Sequence, residues 1–572
     1  MRSTLLVGIL ALLLLLCPSL SGAENYLLSG EQSSFIRYRS VHRIRPADAT
    51  RSVTLSYVVP QGFESPTFRQ TVGAVDLHSR PEAETRRRET DENGNRVLEL
   101  HWSSPGQPVV AELSFKVQTA VRLDGLVTDA PFPPAPLPEA VRRYLQFTEQ
   151  IPAEDPEVAA LSRKLTDGAR TQFDAVQQVL TWLLDHLRYV LTPEATDALY
   201  SLRTGKGNCQ NYSHLAAALM RAAGIPVRIV NGYTLKKPYD IQIGGEILTM
   251  KMAQGRHSWI EVFFPDLGWV PFDPQGSELF VSNRFLRVEV GIDNAETVRD
   301  GLLRWTQVKG AAGRPEFVEE IDAQFDTDTI SVAADRTDYG PKEILLCPRL
   351  EAAFTKVQRP APPPLPEKIP EDRLTALTYA QPYVMGNLDF PAGVDFLSGR
   401  PAAADEEARE IRRSFLVETA EYVTTRGQQY AQTFIIDRPL KLEDVALALH
   451  RFNEDGQLWL ELLDNGDGMP GSVVATSDLQ AVAEIPFSPG YEWVAFDFSR
   501  TPVYLSPGRY WIALGFTGGP IVNWFFTYGK PVGPEDGTRY RTLFDETWSR
   551  SLSYEFNYRV AGTTTEDKKV GR

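Results

Sequence analysis

Two proline-rich runs, Pro131-Phe132-Pro133-Pro134-Ala135-Pro136-Leu137-Pro138 and the segment from Pro360 to Pro370, interrupt this sequence. Neither a helix nor a central strand continues through such a run, because each proline lacks an N–H and fixes φ. The chain must therefore be built in segments. Its 572 residues demand the same, since a single hydrophobic core stops growing at about 250–300 residues. The hydrophobic period changes from segment to segment. Over 24–130, stretches such as Ser52 to Val59 and Val109 to Val117 alternate apolar and polar residues, and turn-like sequences such as Asp91-Glu92-Asn93-Gly94 separate them. This predicts an N-terminal β-sandwich. Over 135–305 the spacing becomes helical at Val176, Val179, Leu180, Leu183, Leu184 and Leu187, and helices and strands are expected together. Residues 306–410, which include the proline-rich linker 360–370, are poorly patterned and read as a connector with no assigned fold. Strand signals return over 411–562, as in Leu458 to Leu463, Trp493 to Phe498 and Arg509 to Phe516. They predict a C-terminal β-sandwich resembling a jelly roll.

Residues 1–23 stand apart. Arg2, the apolar run from Leu5 to Leu16 and the mostly small residues from Ser19 to Ala23 follow the order of a secretory signal peptide, with Ser21 and Ala23 before the cleavage point. About a dozen apolar residues are short for a bilayer span. No other stretch is apolar enough to span a membrane, so the mature protein is expected to be exported, with no transmembrane segment after cleavage. Cysteine usage sharpens the picture. Of Cys17, Cys209 and Cys347, the first leaves with the leader, and two thiols are no disulfide framework for an exported protein of this size. They pair with each other, or one of them is a working thiol. Lys+Arg 59 against Asp+Glu 74 gives a formal charge of −15, which disfavours nucleic acid as a partner.

Chemistry concentrates between Gly205 and Asp273. Gly205-Lys206-Gly207-Asn208-Cys209 leads into a helical stretch, Gln210 to Ala223, stopped by Gly224 and Pro226. Cys209 thus opens a helix, where the dipole and unpaired N–H groups favour a thiolate and can also stabilise an oxyanion. Further on, His257, Trp259, Glu261 and Phe263 share one face of an expected strand. Next, Gly268-Trp269-Val270-Pro271-Phe272-Asp273-Pro274 reads as a turn and a short strand ending in an aspartate. A cysteine nucleophile needs a base, histidine suits that near neutral pH, and the histidine needs a carboxylate to fix its tautomer. Two adjacent antiparallel strands place Asp273 beside His257. Singly each residue is weak: a lone histidine is usually structural, and His214 and His186 are read that way.

Together, GNCQNYSHLAAALMRAAGIPVRIVNGY and HSWIEVFFPDLGWVPFDPQ closely resemble the core of the transglutaminase-like superfamily. The resemblance covers 135–305 and implies a multidomain chain, with an α+β papain-like core between two β-sandwiches. It implies Cys209 as nucleophile, His257 as base and Asp273 as orienting partner. Asn208 stands where an acidic residue is common, and the family's side-chain oxyanion donor has no evident counterpart. The resemblance implies no cofactor, and bacterial relatives of this shape generally use no calcium. No cluster has metal-ligand spacing, and Asp464 to Gly468 reads as a hairpin turn, lacking a ligand at its third position and a late glutamate.

The expected activity is acyl transfer on protein or peptide amides outside the bacterial cytoplasm, in the periplasm or beyond the cell. Water as acceptor makes a cysteine protease or amidase; an amine makes a transglutaminase. Hydrolysis is favoured, since a bacterial setting offers no obvious crosslinking target. The alternative is a non-catalytic scaffold whose sandwiches bind protein or glycan, and the C-terminal sandwich is a candidate for binding a cell-surface polymer. Its Trp459, Trp493, Trp511 and Trp524 are nonetheless read as core. Cys347 is given no role.

Overall fold

The structure is a computed structural model. It describes residues 25–565 apart from 124–127, 135, 191–192, 244–245, 251–253, 276–279, 338–343, 346–366, 388–396, 402–407, 414–420, 425–427, 488–490, 528–536, 543–544, 546, 549 and 553. The leader-like residues 1–23, Cys347 and residues 360–366 of the proline-rich linker lie outside the described residues.

The N-terminal sandwich faces two antiparallel sheets. In one, Asn25–Arg45 lies between Val109–Arg122 and Glu316–Thr337. In the other, Thr50–Val59 lies between Arg96–Ser103 and Leu302–Gln307. Alternate side chains turn inward, and Ile36, Tyr38, Val53, Leu55, Leu100 and Trp102 are all buried. Each such large apolar side chain contributes about 1.5–3 kcal/mol.

Two of these strands correct the segment boundaries read from the sequence. The limit at 305 falls within the strand Leu302–Gln307. Residues 316–337, placed in the connector, form a 22-residue strand paired along the first strand from Glu316↔Arg45 to Thr337↔Asn25. Phe317, Ile321, Ala323 and Phe325 pack on the sandwich core. Glu319, buried in the midst of this alternation, is what breaks the hydrophobic pattern. Further along the same stretch, Tyr379–Gly386 pairs with Tyr558–Thr565 in the C-terminal sandwich. The described parts of 306–410 are thus shared between the sandwiches, because strands need neighbours in space and not in sequence.

The central domain packs helices on a four-stranded antiparallel sheet in the order Gly268–Phe272, Gly255–Phe264, Val227–Thr234, Phe285–Gly291. The helix Gln172–His186 starts with a capping box between Thr171 and Asp174. Its Val176, Val179, Leu180 and Leu183 are fully buried in one core with Leu215 and Leu219 of the helix Cys209–Ala222 and with Ile229, Ile260 and Phe272 of the sheet. Lys236 to Gly255, a loop by its sequence, contains a hairpin of Tyr239–Ile243 and Glu246–Met250. One arm pairs with Glu316–Thr337 and the other with Arg550–Leu552.

The C-terminal sandwich sets Gln428–Ile436, Gln457–Gly466 and Gly508–Thr517 against Leu440–Arg451 and its neighbours Glu492–Asp497 and Tyr558–Thr565. Trp511 and Trp524 are fully buried in it. Asp467 and Gly468 both have positive φ and join Gln457–Gly466 to Met469–Thr476, with Gly466 opposite Met469. That is a two-residue hairpin turn of the mirror-image type.

Candidate active site

The cysteine is positioned by the start of its helix. Asn208 is the N-cap: its side chain accepts the Gln210 N–H at 3.0 Å, and Asn208 and Asn211 exchange bonds as a capping box. Gly207 is required there, since a Cβ would lie 2.3 Å from Cβ of Asn211. The Gly-Asn-Cys sequence therefore sets Cys209 at the first helical residue, fully buried and free of any disulfide. At the other end Arg221 turns back, and its guanidinium donates to the carbonyls of Val227 and Gln146. This fixes the helix against the sheet.

The histidine comes from the strand Gly255–Phe264. His257 lies opposite Gly232 in the pairing of Gly255–Phe264 with Val227–Thr234. Here too only glycine fits, because a Cβ on Gly232 would lie 1.9 Å from the Leu286 carbonyl oxygen and 2.7 Å from Trp259. The register of Val227–Thr234 against Phe285–Gly291 shifts at this same point, a bulge of the kind that re-aims side chains beside active sites. The His257 ring stacks on Trp259 at 6.0 Å and meets the edge of Phe285 at 5.4 Å.

Asp273 follows the strand Gly268–Phe272, which is antiparallel to that of His257. His257 Nε2 donates to Asp273 Oδ2 at 3.0 Å, and Asp273 Oδ1 accepts the Gln275 N–H at 3.1 Å. With Nε2 committed, Nδ1 is the ring nitrogen left for the thiol. Burial works against a charge on His257. The charge and hydrogen bond of Asp273, followed by those of Cys209, outweigh it and raise the histidine from about 6.5 to about 10. At neutral pH His257 is thus an imidazolium between a carboxylate and the cysteine. The three residues singled out from the sequence are brought together, all of them buried.

Two buried ionic groups hold this strand, and neither was foreseen. Glu261 pairs with Arg228 at 2.5 Å and with Arg287 at 2.7 Å, which links three strands of the central sheet. Arg256, next to His257, pairs with Asp300 at 2.8 Å and with Glu319 at 2.7 Å. Glu319 in turn lies 2.7 Å from His42 Nε2, and the Tyr57 hydroxyl is 2.9 Å from His42 Nδ1. The long strand Glu316–Thr337 of the N-terminal sandwich therefore grips the strand that carries His257. An arginine beside a motif histidine hinted at this, but its partners lie 44 and 63 residues away.

The other histidines have plain partners. His214 lies within hydrogen-bonding distance of the Thr196 carbonyl (Nδ1, 2.6 Å) and accepts the Asn294 N–H. Burial lowers it to about 4, so it is neutral, with Nδ1 carrying the proton. His186 is exposed, and its ring stacks on Trp182 at 4.4 Å. Among the described residues no group of three or more His, Cys, Asp or Glu side chains is arranged to hold a metal, and no helix is long and apolar enough to cross a membrane.

Residues 159–274 match the family model of the transglutaminase-like superfamily. A protein-glutamine gamma-glutamyltransferase of Pseudomonas aeruginosa is 32% identical over 134 residues, 22% of this chain and 19% of that protein. Among solved structures, a Cytophaga hutchinsonii protein described as a candidate cysteine protease aligns over 55% of this chain and 95% of its own, at 17% identity and a TM-score of 0.36. The periplasmic domain of TgpA from Pseudomonas aeruginosa aligns over 41% of this chain and 92% of its own, at 17% identity and a TM-score of 0.23. The chain spans between about a fifth and a half of the length of the curated relatives that are about 30% identical to it.

Proposed function

Because the chain carries a transglutaminase-like domain, we propose that it is a thiol-dependent acyl-transfer enzyme acting on protein or peptide amides. Cys209 is the nucleophile, His257 its acid and base, and Asp273 the group that orients and charges His257. The observation that carries this reading is the single one of His257, hydrogen-bonded through Nε2 to Asp273 and charged beside Cys209. The thiolate Sγ attacks the carbonyl carbon. His257 Nδ1 then gives its proton to the departing amine, and a thioester on Cys209 remains. Water or an amine, deprotonated by the now neutral His257, takes the acyl group and restores the thiolate. The reaction is assigned to the periplasm or the cell exterior on the strength of the leader-like residues 1–23.

The test needs no guess at the substrate. The protein is incubated with a complex peptide mixture, with and without an added alkylamine, and examined by intact-mass spectrometry. The expected result is a set of adducts on Cys209 that neutral hydroxylamine removes and that Cys209→Ala lacks. Shortened peptides without the amine mark a hydrolase, and peptide-alkylamine conjugates mark a transferase. No adduct on Cys209, with all peptide turnover unchanged in Cys209→Ala, contradicts the proposal.

A further inference from the structure

Two buried phenols stand by Cys209. Tyr212, three residues along the helix, donates its hydroxyl to the Leu187 carbonyl at 2.9 Å. Tyr189 is different. It sits in the two-residue strand Arg188–Tyr189, parallel to Lys206–Gly207, with Tyr189 opposite Gly207 and the Val190 N–H donating to the Gly207 carbonyl at 2.9 Å. That pairing fixes its place two residues from the cysteine. Its side chain is 2% exposed, and its hydroxyl has no hydrogen-bond partner in the protein. Burial, then the charge of Cys209 and that of Tyr212, hold its proton on far above the ordinary tyrosine range. It is therefore a donor at every working pH, close enough to Cys209 for the two groups to interact.

An orphaned buried hydroxyl is a cost to folding, and phenylalanine would avoid it. Such a group is explained by a partner that exists only during the reaction. At the same cysteine, the helix cap occupies the N–H groups of Gln210 and Asn211 and leaves that of Cys209 outside it.

We infer that the Tyr189 hydroxyl and the Cys209 N–H form the oxyanion hole of this site, with Tyr189 as its side-chain donor. This rests on the acyl-transfer reading above. As the Sγ–C bond forms, the carbonyl π pair moves onto oxygen, and that oxygen accepts hydrogen bonds from the Tyr189 hydroxyl and the Cys209 N–H. Collapse re-forms C=O and breaks the bond to the leaving group, which takes its proton from His257. Tyr189 keeps its proton throughout. In a closed, water-poor site such donors act at full strength without reorganising.

Two reagents separate this role from the others. p-Nitrophenyl acetate acylates a thiolate through an oxyanion, whereas iodoacetamide alkylates the same thiolate by displacement at a saturated carbon and forms none. In Tyr189→Phe, acetylation of Cys209 is expected to slow by roughly 10²-fold. Its iodoacetamide rate and pH profile should match the wild type, and its melting temperature should be unchanged or higher. Tyr212→Phe, which loses a satisfied bond, should melt lower and keep the wild-type ratio of the two rates. Equal acetylation in Tyr189→Phe and the wild type overturns the inference. So does an equal slowing by both reagents, which would place Tyr189 on the thiolate, and so does a wild type that iodoacetamide labels but the ester does not acetylate. Failure of the acyl-transfer reading looks different: wild-type alkylation would then be indifferent to His257, whatever residue stands at 189.

Discussion

At the scale of single residues the proposed acid and base is His257, and its charge has a sign that can be followed. Its folded value near 10 lies above the ordinary histidine value of about 6.5. The stability it lends is fully present below pH about 6.5 and is lost as pH rises through about 10. Asp273→Asn keeps the shape of the side chain and removes the charge and most of the hydrogen bond that raise His257. That variant should lose about 10²–10⁴-fold in acyl transfer, and its melting temperature should fall less than that of the wild type between pH 7 and 10. Kinetics and thermal scans across that range check both, and a wild-type slope in the variant would contradict them. That Cys209, His257 and Asp273 come together was legible in the sequence because each sits in a motif: a glycine-flanked helix start, a strand with alternating His and Trp, and an aspartate closing a Gly-Trp strand. Tyr189 was not legible, since a tyrosine in a two-residue strand has no periodicity to mark it. Its character comes from what its hydroxyl lacks, and that is visible only in space.

Among the elements, the strand Glu316–Thr337 matters most to the site. It pairs along the first strand of the N-terminal sandwich and reaches Arg256 through Glu319. Removing one member of a buried, hydrogen-bonded ionic group leaves its partners short of a counter-charge, here Arg256 with Asp300 alone, at a cost of up to about 3–5 kcal/mol. Glu319→Ala should therefore lower stability by about that amount in a denaturant titration, and alkylation of Cys209 should lose part of its dependence on His257. A loss under 1 kcal/mol would contradict this and mean that Asp300 alone suffices to hold Arg256. The same glutamate hid the strand from sequence reading, because it puts a charge where the alternation calls for an apolar residue. The helix Gln172–His186 carries no such interruption on its apolar face, and its hydrophobic spacing agrees with the residues found buried. The hairpin Tyr239–Met250 was read as a loop because its strands of five residues each are too short to establish a period.

Over the whole molecule, the segmentation by period and proline found three β-rich or α+β regions but misplaced their edges. Pairing between the first strand and residues 316–337 spans nearly 300 residues of sequence, and no local pattern reports a partner that distant. Continuity follows from it. The hairpin Tyr239–Met250 joins the sheet of the N-terminal sandwich to Arg550–Leu552, and Ala448, Tyr491 and Phe525 of the C-terminal sandwich lie in the same core as the cysteine helix. The central domain is held from both sides, which suits a buried site that depends on three strands and a helix terminus keeping their register.

A cysteine made reactive by a charged histidine is tested most directly by the pH dependence of Cys209 alkylation by iodoacetamide in the wild type and in His257→Ala. The expected result is labelling of the wild type at neutral pH, where His257 is charged, that slows sharply in the variant. Labelling that follows an ordinary thiol titration and is unchanged in His257→Ala would contradict it.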